Sequence, residues 1–376
     1  MKINSNRWKI CSIFIIILSL HNTISFAQCN GYIDLCSKAY NEVAYLTSHN
    51  AYSNSEDSYY FPNQNLNIPH QLDLGVRALM LDIYEHEGDL MLYHSVSELG
   101  FTYLVDVLLQ IKYFLINNPN EILTLILEDY STTTALNNTI DNVGLNSYLY
   151  SHSEYSPFWP SLQEMIDSNQ RLIIFTDNDD LNAPETLHFI WNFAVETHFD
   201  VTNIEDFDCA FNRGNEQNDL FIFNHFISNY NLYLTNSELY LNEIEQVNGS
   251  IFLTQRLSEC ISETGKFPNF IAIDFIDLGQ PMQVVNEINQ SSITHISEQK
   301  YEDYIFPNPN NGNILLKSKD PANTIQVAIF NLIGINLTSK IKINRHDSNI
   351  SIDFSSFNNG TYLLKVGAST YKIVKE

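Results

Sequence analysis

Basic residues are scarce in this chain of 376 residues. It contains 19 Lys and Arg against 44 Asp and Glu, which gives a formal net charge of −25. Residues 28–300 are more acidic still, with eight basic residues against 38 acidic ones. Nucleic acids are bound by clustered cations, so this composition argues against a nucleic-acid partner. It also opposes adsorption to strongly anionic lipid.

Long apolar segments are also missing. The run Ile10–Leu20 is too short to span a bilayer, follows a basic start and precedes the small residue Ala27. Residues 1–27 are therefore predicted to be a secretory signal peptide. No later segment has the length and hydrophobicity of a membrane helix, so the expected product is exported, with no transmembrane segment.

The chain has only five cysteines, of which Cys11 lies in the predicted signal. The other four form an even set in an oxidising compartment, where disulfides are expected. Four cysteines allow three pairings. The short spacing favours a local bridge between Cys29 and Cys36, which leaves Cys209 with Cys260. A zinc site is the alternative, but the sequence has no Cys-x-x-Cys pair.

From Val43 to about Asn289, short β-branched runs alternate with helical patterns. About 270 residues of this alternation is the typical size of a (β/α)₈ TIM-type barrel, an α/β fold with parallel strands. The predicted strands are Val43–Ser48, Arg77–Tyr84, Leu90–Tyr93, Ile122–Glu128, Arg171–Thr176, Leu220–Asn224 and Phe270–Phe275.

After Lys300 the helical pattern stops and short alternating strands follow a turn-rich junction, which predicts a small C-terminal β-sandwich. The expected domains are a signal peptide (1–27), a barrel (28–300) and the β-sandwich (301–376). The predicted strands of the β-sandwich are Ile314–Leu316, Thr324–Asn331, Ile350–Phe354 and Tyr362–Val366.

Polar side chains stand where the predicted barrel strands end. Catalytic groups of such barrels gather at the carboxyl ends of the strands. His49 and His94 follow two of these strands, and Asp274 lies at the end of the last. Two histidines that face one cavity can serve as general base and general acid near neutral pH. The alternative is a pair of hydrogen-bonded surface histidines.

Two carboxylates are expected beside these histidines. The period of two in a strand places Asp82 on one face with Met80, and Glu128 on the equivalent face of its own strand. If both faces point into the barrel, Asp82 and Glu128 lie near Asn50. Oxygen ligands of these types are what Ca²⁺ accepts, which predicts a calcium site. Ordinary solvated carboxylates at a barrel mouth are the alternative.

With these residues identified, the sequence resembles the phosphatidylinositol-specific phospholipase C X-domain superfamily, and most closely its secreted members that contain only the X-like barrel. The resemblance runs from Cys29 to about Asn289 and depends on the order of several motifs. They include Thr47–Tyr52 (TSHNAY), Gln71–Tyr84 (QLDLGVRALMLDIY), Leu92–Ser95 (LYHS), Leu127–Tyr130 (LEDY), Gln170–Thr176 (QRLIIFT) and Pro268–Phe275 (PNFIAIDF).

The resemblance implies a two-histidine mechanism. His49 would take a proton from a headgroup hydroxyl that attacks phosphorus, and His94 would protonate the departing alcohol to leave a cyclic phosphate. Asp274 would orient the base. The family neutralises the phosphate with an arginine or with Ca²⁺, and Asp82 at the arginine position favours the metal. Relatives that use a metal carry Glu where this chain has Met80, which removes one ligand.

The expected substrate is a phosphoinositide-type or related phosphodiester, including a phospholipid headgroup. Lysine and arginine are scarce near strand ends, and Arg171 and Arg213 are the predicted substrate-binding cations. The alternative to an enzyme is a catalytically silent barrel that binds a phosphorylated headgroup or a glycan.

The C-terminal region has a resemblance of its own. It is similar to the C-terminal sorting domain of the type IX secretion system, through the segments Phe306–Gly312 (FPNPNNG), Val327–Asn331 (VAIFN), Asn359–Tyr362 (NGTY) and Lys372–Lys375 (KIVK). This implies that residues 301–376 engage the type IX machinery and that the protein is secreted or held at the cell surface. A carbohydrate- or partner-binding β-module is the alternative.

Overall fold

The computed structural model describes residues 28–94, 96–154, 156, 158–180, 182–295, 304–306, 310–317, 326–331, 335–346, 349–366 and 369–376. Backbone contacts divide the chain into two compact units, and the second comprises Ser292–Glu376. The predicted signal peptide, residues 1–27, lies outside the described residues.

A single curved sheet forms the centre of the first unit. Eight of its strands pair in parallel, in the order β7-β6-β5-β2-β1-β11-β10-β8. The strands β1–β11 are Tyr45–Ser48, Ala78–His86, Asp89–Leu92, Thr102–Tyr103, Leu123–Tyr130, Leu172–Thr176, Leu187–Phe189, Ala194–Thr197, Phe211–Gly214, Leu220–His225 and Phe270–Ile273.

The sheet closes most of a (β/α)₈ barrel, which is the predicted fold class. Within the described part of the chain, no ladder joins β7 to β8, so the barrel is open between these strands. β9 extends the sheet beyond β8 as an antiparallel neighbour. β6 is buried at all five residues, as expected for a parallel strand covered on both faces.

Helices cover the outside of this sheet. α2 shows why they form: its buried residues Leu104, Val107, Leu108 and Ile111 recur on one face, and it ends just before Asn118-Pro119. The helices α1–α8 are Ile68–Leu74, Leu104–Asn117, Thr133–Val143, Leu162–Asp167, Tyr230–Thr235, Ser237–Val247, Ser250–Thr264 and Pro281–His295.

One predicted barrel strand has a different role. The segment Leu90–Tyr93 corresponds to β3, which pairs antiparallel with β2 and so is not one of the eight parallel strands. β7 and β8 were not predicted. They are only three and four residues long, too short for periodicity to show, and β8 contains the buried Glu196.

The second unit consists of two antiparallel sheets, β12-β13-β16-β15 and β14-β17-β18. Alternate apolar side chains such as Ile314, Leu316, Ile329 and Ile352 form its core. Its strands β12–β18 are Tyr304–Phe306, Asn313–Lys317, Val327–Asn331, Lys342–His346, Asn349–Asp353, Gly360–Val366 and Ser369–Lys375.

Both disulfides form as predicted. Cys29 pairs with Cys36, and Cys209 pairs with Cys260. The second bridge fastens the segment before β9 to α7. The four sulfur atoms of the two bridges are therefore not zinc ligands. Among the helices in the described ranges, none has both the length and the hydrophobicity to cross a bilayer.

Candidate active site

The first histidine of the site is His49, which follows β1. Because β1 pairs in parallel with β11, with Ser48 beside Ile273, the next residues His49 and Asp274 reach the same barrel mouth. The His49 Nδ1 lies 2.8 Å from Asp274 Oδ1. This contact assigns the ring proton to Nδ1, donated to the carboxylate, and leaves Nε2 as the basic nitrogen.

Two further groups hold this pair in place. The His49 ring stacks on Phe226, with centroids 3.7 Å apart and planes 6° from parallel. Asn63 donates its side-chain amide to both oxygens of the buried Asp274, at 3.2 and 3.1 Å. The imidazole and its carboxylate are thus fixed before any substrate arrives, which is the preorganisation that a catalytic base requires.

The second histidine, His94, reaches the same mouth by a different route. β2 runs four residues beyond Asp82, turns at Glu87-Gly88 and returns as β3, which places His94 next to Asp82. The His94 Nδ1 donates to Asp82 Oδ2 at 3.1 Å. This hydrogen bond raises the pKa of His94 above its ordinary value, and burial opposes the rise. His94 is therefore suited to carry a proton near neutral pH.

Asp82 is held by another side chain. The Tyr52 hydroxyl donates to Asp82 Oδ2 at 3.0 Å, so this oxygen accepts from both Tyr52 and His94. Each histidine of the site therefore bonds a carboxylate through Nδ1, and each carboxylate has a second donor. The two imidazoles line one cavity of about 330 Å³.

Carboxylates crowd one side of this cavity. Asp82 and Glu128 are direct neighbours across β2 and β5, and Asp177 follows β6. Burial and then the charge of Asp82 raise the pKa of Glu128. Burial likewise raises the pKa of Asp177. These shifts arise because carboxylates here lose water and gain few cationic neighbours.

The predicted calcium ligands all line this cavity. Asn50, Asp82 and Glu128 supply oxygen donors of the kind Ca²⁺ prefers. However, among the residues that the structure describes, no group of three or more His, Cys, Asp and Glu side chains is arranged to hold a metal ion. Met80 also lines the cavity and adds no ligand. The donor chemistry suits Ca²⁺, and water molecules would have to supply the remaining ligands.

Arg213 is brought to the cavity as predicted. It lies on β9, pairs with the buried Glu196, and sits over the rings of Trp191 and Phe199, 4.6 and 4.7 Å from their centroids. It is the one Lys or Arg among the described residues that line the cavity. The hydrogen bond to Glu196 is made by Nε, so it uses neither terminal nitrogen of the guanidinium.

Arg171 is not near the site, and this prediction is corrected. The residue precedes β6, at the opposite end of the barrel from the histidines. Its buried guanidinium donates to the carbonyl oxygens of Leu115, Asn118 and Glu121 at 2.9 to 3.1 Å. Arg171 therefore caps the end of α2 and stabilises the fold.

The polar residues of the site that escaped the sequence analysis include Asn63, Glu196 and Asn224. The Asn224 amide nitrogen donates to Glu196 Oε2 and to the Thr197 carbonyl, at 3.0 and 2.8 Å. Its buried Oδ1 has no hydrogen-bond donor, although the residue lines the cavity. Asn224 ends a predicted strand, so the strand-end rule could have found it.

Each of the two units matches a known protein family. The PI-PLC X family model matches residues 35–289, and the model of the secretion system C-terminal sorting domain matches residues 304–376. The second match confirms the predicted sorting tail, which implies the type IX machinery, and the protein is exported or held at the cell surface.

Relatives of known sequence are distant. A PI-PLC X domain-containing protein of Arabidopsis thaliana is 28% identical over 276 residues, which are 66% of this chain and 62% of the relative. An uncharacterized secreted protein of Arthroderma benhamiae is 26% identical over 67% of this chain and 60% of its own length. The alignments thus leave more than a third of each relative unmatched.

Solved structures are similar at low identity. A mutant of the phosphatidylinositol-specific phospholipase C from Staphylococcus aureus is 14% identical, over 68% of this chain and 93% of that one, with a TM-score of 0.44. L. pealei PLC21 is 13% identical over 92% of this chain and 52% of its own, with a TM-score of 0.41. The PI-PLC X family model matches residues 35–289, which is well over half of this chain. The chain therefore belongs to the PI-PLC X family.

Proposed function

We propose that this protein is an exported phosphodiesterase of the phospholipase C type. The observation that carries the proposal is the paired geometry: His49 and His94 line one cavity, and each bonds a carboxylate through Nδ1. Both Nε2 atoms are thereby assigned to face the substrate. We further assign catalysis to residues 28–300 and export to residues 301–376.

The proposed reaction has two proton transfers. His49 Nε2 takes the proton of a headgroup hydroxyl, and the hydroxyl oxygen forms a bond to the neighbouring phosphorus. The bond from phosphorus to the leaving oxygen breaks, and His94 Nε2 protonates that oxygen. The products are a cyclic phosphate and an alcohol. Water can then open the ring with the two histidines in exchanged roles.

Arg213 is proposed to bind the phosphate. A guanidinium offers two parallel N–H donors that match phosphate oxygens, and Glu196 with two aromatic rings already orients it. Arg171 has no part in this.

A bound Ca²⁺ ion is proposed as a second positive charge for the phosphate, in addition to Arg213. Asn50, Asp82 and Glu128 would hold the ion, which would offset the negative charge of the phosphate. If calcium is required, excess chelator should abolish turnover and added Ca²⁺ should restore it. Unchanged turnover in chelator would remove the metal and leave Arg213 as the cation. Either result leaves the roles of the histidines intact.

A silent barrel that binds a phosphorylated headgroup or a glycan is the alternative. The observation that favours it is Met80, which lines the cavity together with the proposed calcium ligands and offers no oxygen to an ion. If the barrel is silent, replacing either histidine should leave the affinity for headgroups unchanged. Neither the wild type nor the variants should then release product.

The test is turnover of the full chain on phosphatidylinositol and glycerophosphoinositol, followed by phosphorus NMR. His49→Ala and His94→Ala should each lower the rate by roughly 10² or more. His70→Ala is the matched control, because this exposed histidine bonds Glu56 away from the cavity. Equal inactivity of the wild type and all three variants across a phosphodiester panel would contradict the proposal.

A further inference from the structure

Gln64 lies in the loop between β1 and α1, and its side chain reaches the ends of two barrel strands. The residue is fully buried. Its Nε2 donates to the carbonyl oxygens of His49 and Ile273, at 2.8 and 3.0 Å. Its Oε1 accepts from the backbone N–H of Ile276 at 3.1 Å. Both amide protons and the amide oxygen are thus used on the main chain beside the proposed base and its carboxylate partner, Asp274.

The chain turns sharply away from the sheet after each of these two groups. Asn50, directly after the base, has a φ of 44°, and Phe275, directly after the carboxylate, has a φ of 49°. A bulky residue such as Phe275 keeps this left-handed conformation only where the surrounding contacts fix it. Gln64 bonds the carbonyl just before the first turn residue and the N–H just after the second. One side chain therefore joins the two turns.

The sheet itself does not extend as far as these turns. The ladder between β1 and β11 ends where Ser48 lies beside Ile273. Asn248 supports the second turn, because its Nδ2 donates to the carbonyl oxygens of Asp274 and Phe275 at 2.8 and 3.2 Å. Gln64 differs from Asn248 because its side chain bonds the main chain at both strand ends.

We infer that Gln64 is a positioning residue for the pair His49 and Asp274. The inference rests on the proposed function, in which His49 is the base. The hydrogen bond between their side chains is 2.8 Å long, and such a bond weakens steeply when its atoms move apart or lose alignment. Without the Gln64 amide, buried main-chain groups of both turns lose their partner, so the turns relax independently. The base then loses its orientation, whereas Arg213 stays in place.

Gln71 provides a matched control. It is also fully buried, and its Nε2 donates to the carbonyl oxygens of Ala51 and Leu66, at 2.8 and 2.7 Å. Neither carbonyl belongs to the base or to the turn after its carboxylate. Gln64→Met and Gln71→Met each remove a buried amide and keep a side chain of similar length. Both variants should therefore lower the urea midpoint by similar amounts.

The first test requires no turnover. The proton that His49 Nδ1 donates to Asp274 should give a downfield NMR signal in the full chain, identified by its absence from His49→Ala. The signal should persist in Gln71→Met and disappear through exchange with water in Gln64→Met. A signal that survives in Gln64→Met, or is lost equally in Gln71→Met, would overturn the inference. Its absence from wild type would reject the pair itself and the inference with it.

A second variant covers the case in which Gln64→Met does not fold. Gln64→Glu keeps the shape of the side chain and an acceptor for the Ile276 N–H, but it loses at least one of the two donors. The NMR signal should weaken in this variant too. An unchanged signal in Gln64→Glu would count against the inference in the same way.

The second test measures kcat and KM on glycerophosphoinositol. Gln64→Met should lower kcat by about 10- to 10²-fold and leave KM within about twofold, because the base is misplaced while the phosphate site is intact. Gln71→Met should keep kcat near that of wild type. An unchanged kcat in Gln64→Met would overturn the inference and leave the proposed function standing. No turnover by any form, with an NMR signal that depends on Gln64, would support the positioning contact and reject the proposed function.

Discussion

The hydrogen bond between Asp82 and His94 sets the protonation of the proposed acid. A general acid must be protonated, so activity is lost as the pH rises through its pKa. Asp82 raises the pKa of His94, which keeps the acid protonated to a higher pH.

Asp82→Asn should therefore move the alkaline limb of the pH–rate profile to lower pH. The measurement is kcat against pH, with calcium held in excess so that loss of a metal ligand is not the cause. Asp89→Asn, at the exposed start of β3, is the control and should leave the profile unchanged. An alkaline limb that stays in place in Asp82→Asn would contradict the role of His94 as the acid.

Single residues also show how far sequence reasoning reaches at the site. The strand-end rule correctly placed His49, Asp82, Glu128 and Asp274 at the barrel mouth, because each position follows from its own strand. Arg171 was wrong because it begins its strand, and so lies at the other end of the barrel. Asn63 was missed because it comes from an irregular loop that folds back onto Asp274.

At the level of elements, the β2–β3 hairpin decides where the acid lies. Its turn residues Glu87 and Gly88 both have positive φ, 52° and 92°, as a two-residue hairpin turn of type I′ requires. Periodicity predicted both strands of the hairpin. It did not reveal that β3 is antiparallel, because the predicted strands stopped at Tyr84 and resumed at Leu90, which hid the two-residue turn between His86 and Asp89.

Gly88→Val should lower kcat by about tenfold, because a β-branched residue in this conformation costs roughly 1–2 kcal/mol and loosens the turn that positions His94. Gly265→Val is the matched control: Gly265 has a φ of 69°, also has open space around it, and ends the remote helix α7. Both variants should lose similar stability in urea. A Gly265→Val enzyme as impaired as Gly88→Val would reject the positional argument.

For the whole molecule, the change of pattern after Lys300 predicted two regions, the first with both helices and strands and the second with strands alone. The barrel opening between β7 and β8 could not be foreseen, because it depends on two short strands and not on any periodic pattern. The excess of acidic residues has a consequence for substrate access. Eight basic against 38 acidic residues in 28–300 repel an anionic membrane, and salt screens this repulsion.

Turnover of phosphatidylinositol in vesicles rich in anionic lipid should therefore increase as salt is raised from about 0.01 M to 0.15 M, over which the Debye length falls from ~30 to ~8 Å. Vesicles diluted with zwitterionic lipid should show little change. A fall in turnover with salt on the anionic vesicles would indicate a basic docking surface, contrary to this account.

The division of labour between the two histidines can be tested with a leaving group that needs no proton. On the 4-nitrophenyl ester of inositol 1-phosphate, His94→Ala should come within about threefold of wild type, whereas on an alkyl ester it should be slower by about 10². His49→Ala should be slow on both esters, because the attacking hydroxyl still needs its base. If His94→Ala were impaired by the same factor on the two esters, His94 would not be the acid, and the proposed mechanism would be wrong.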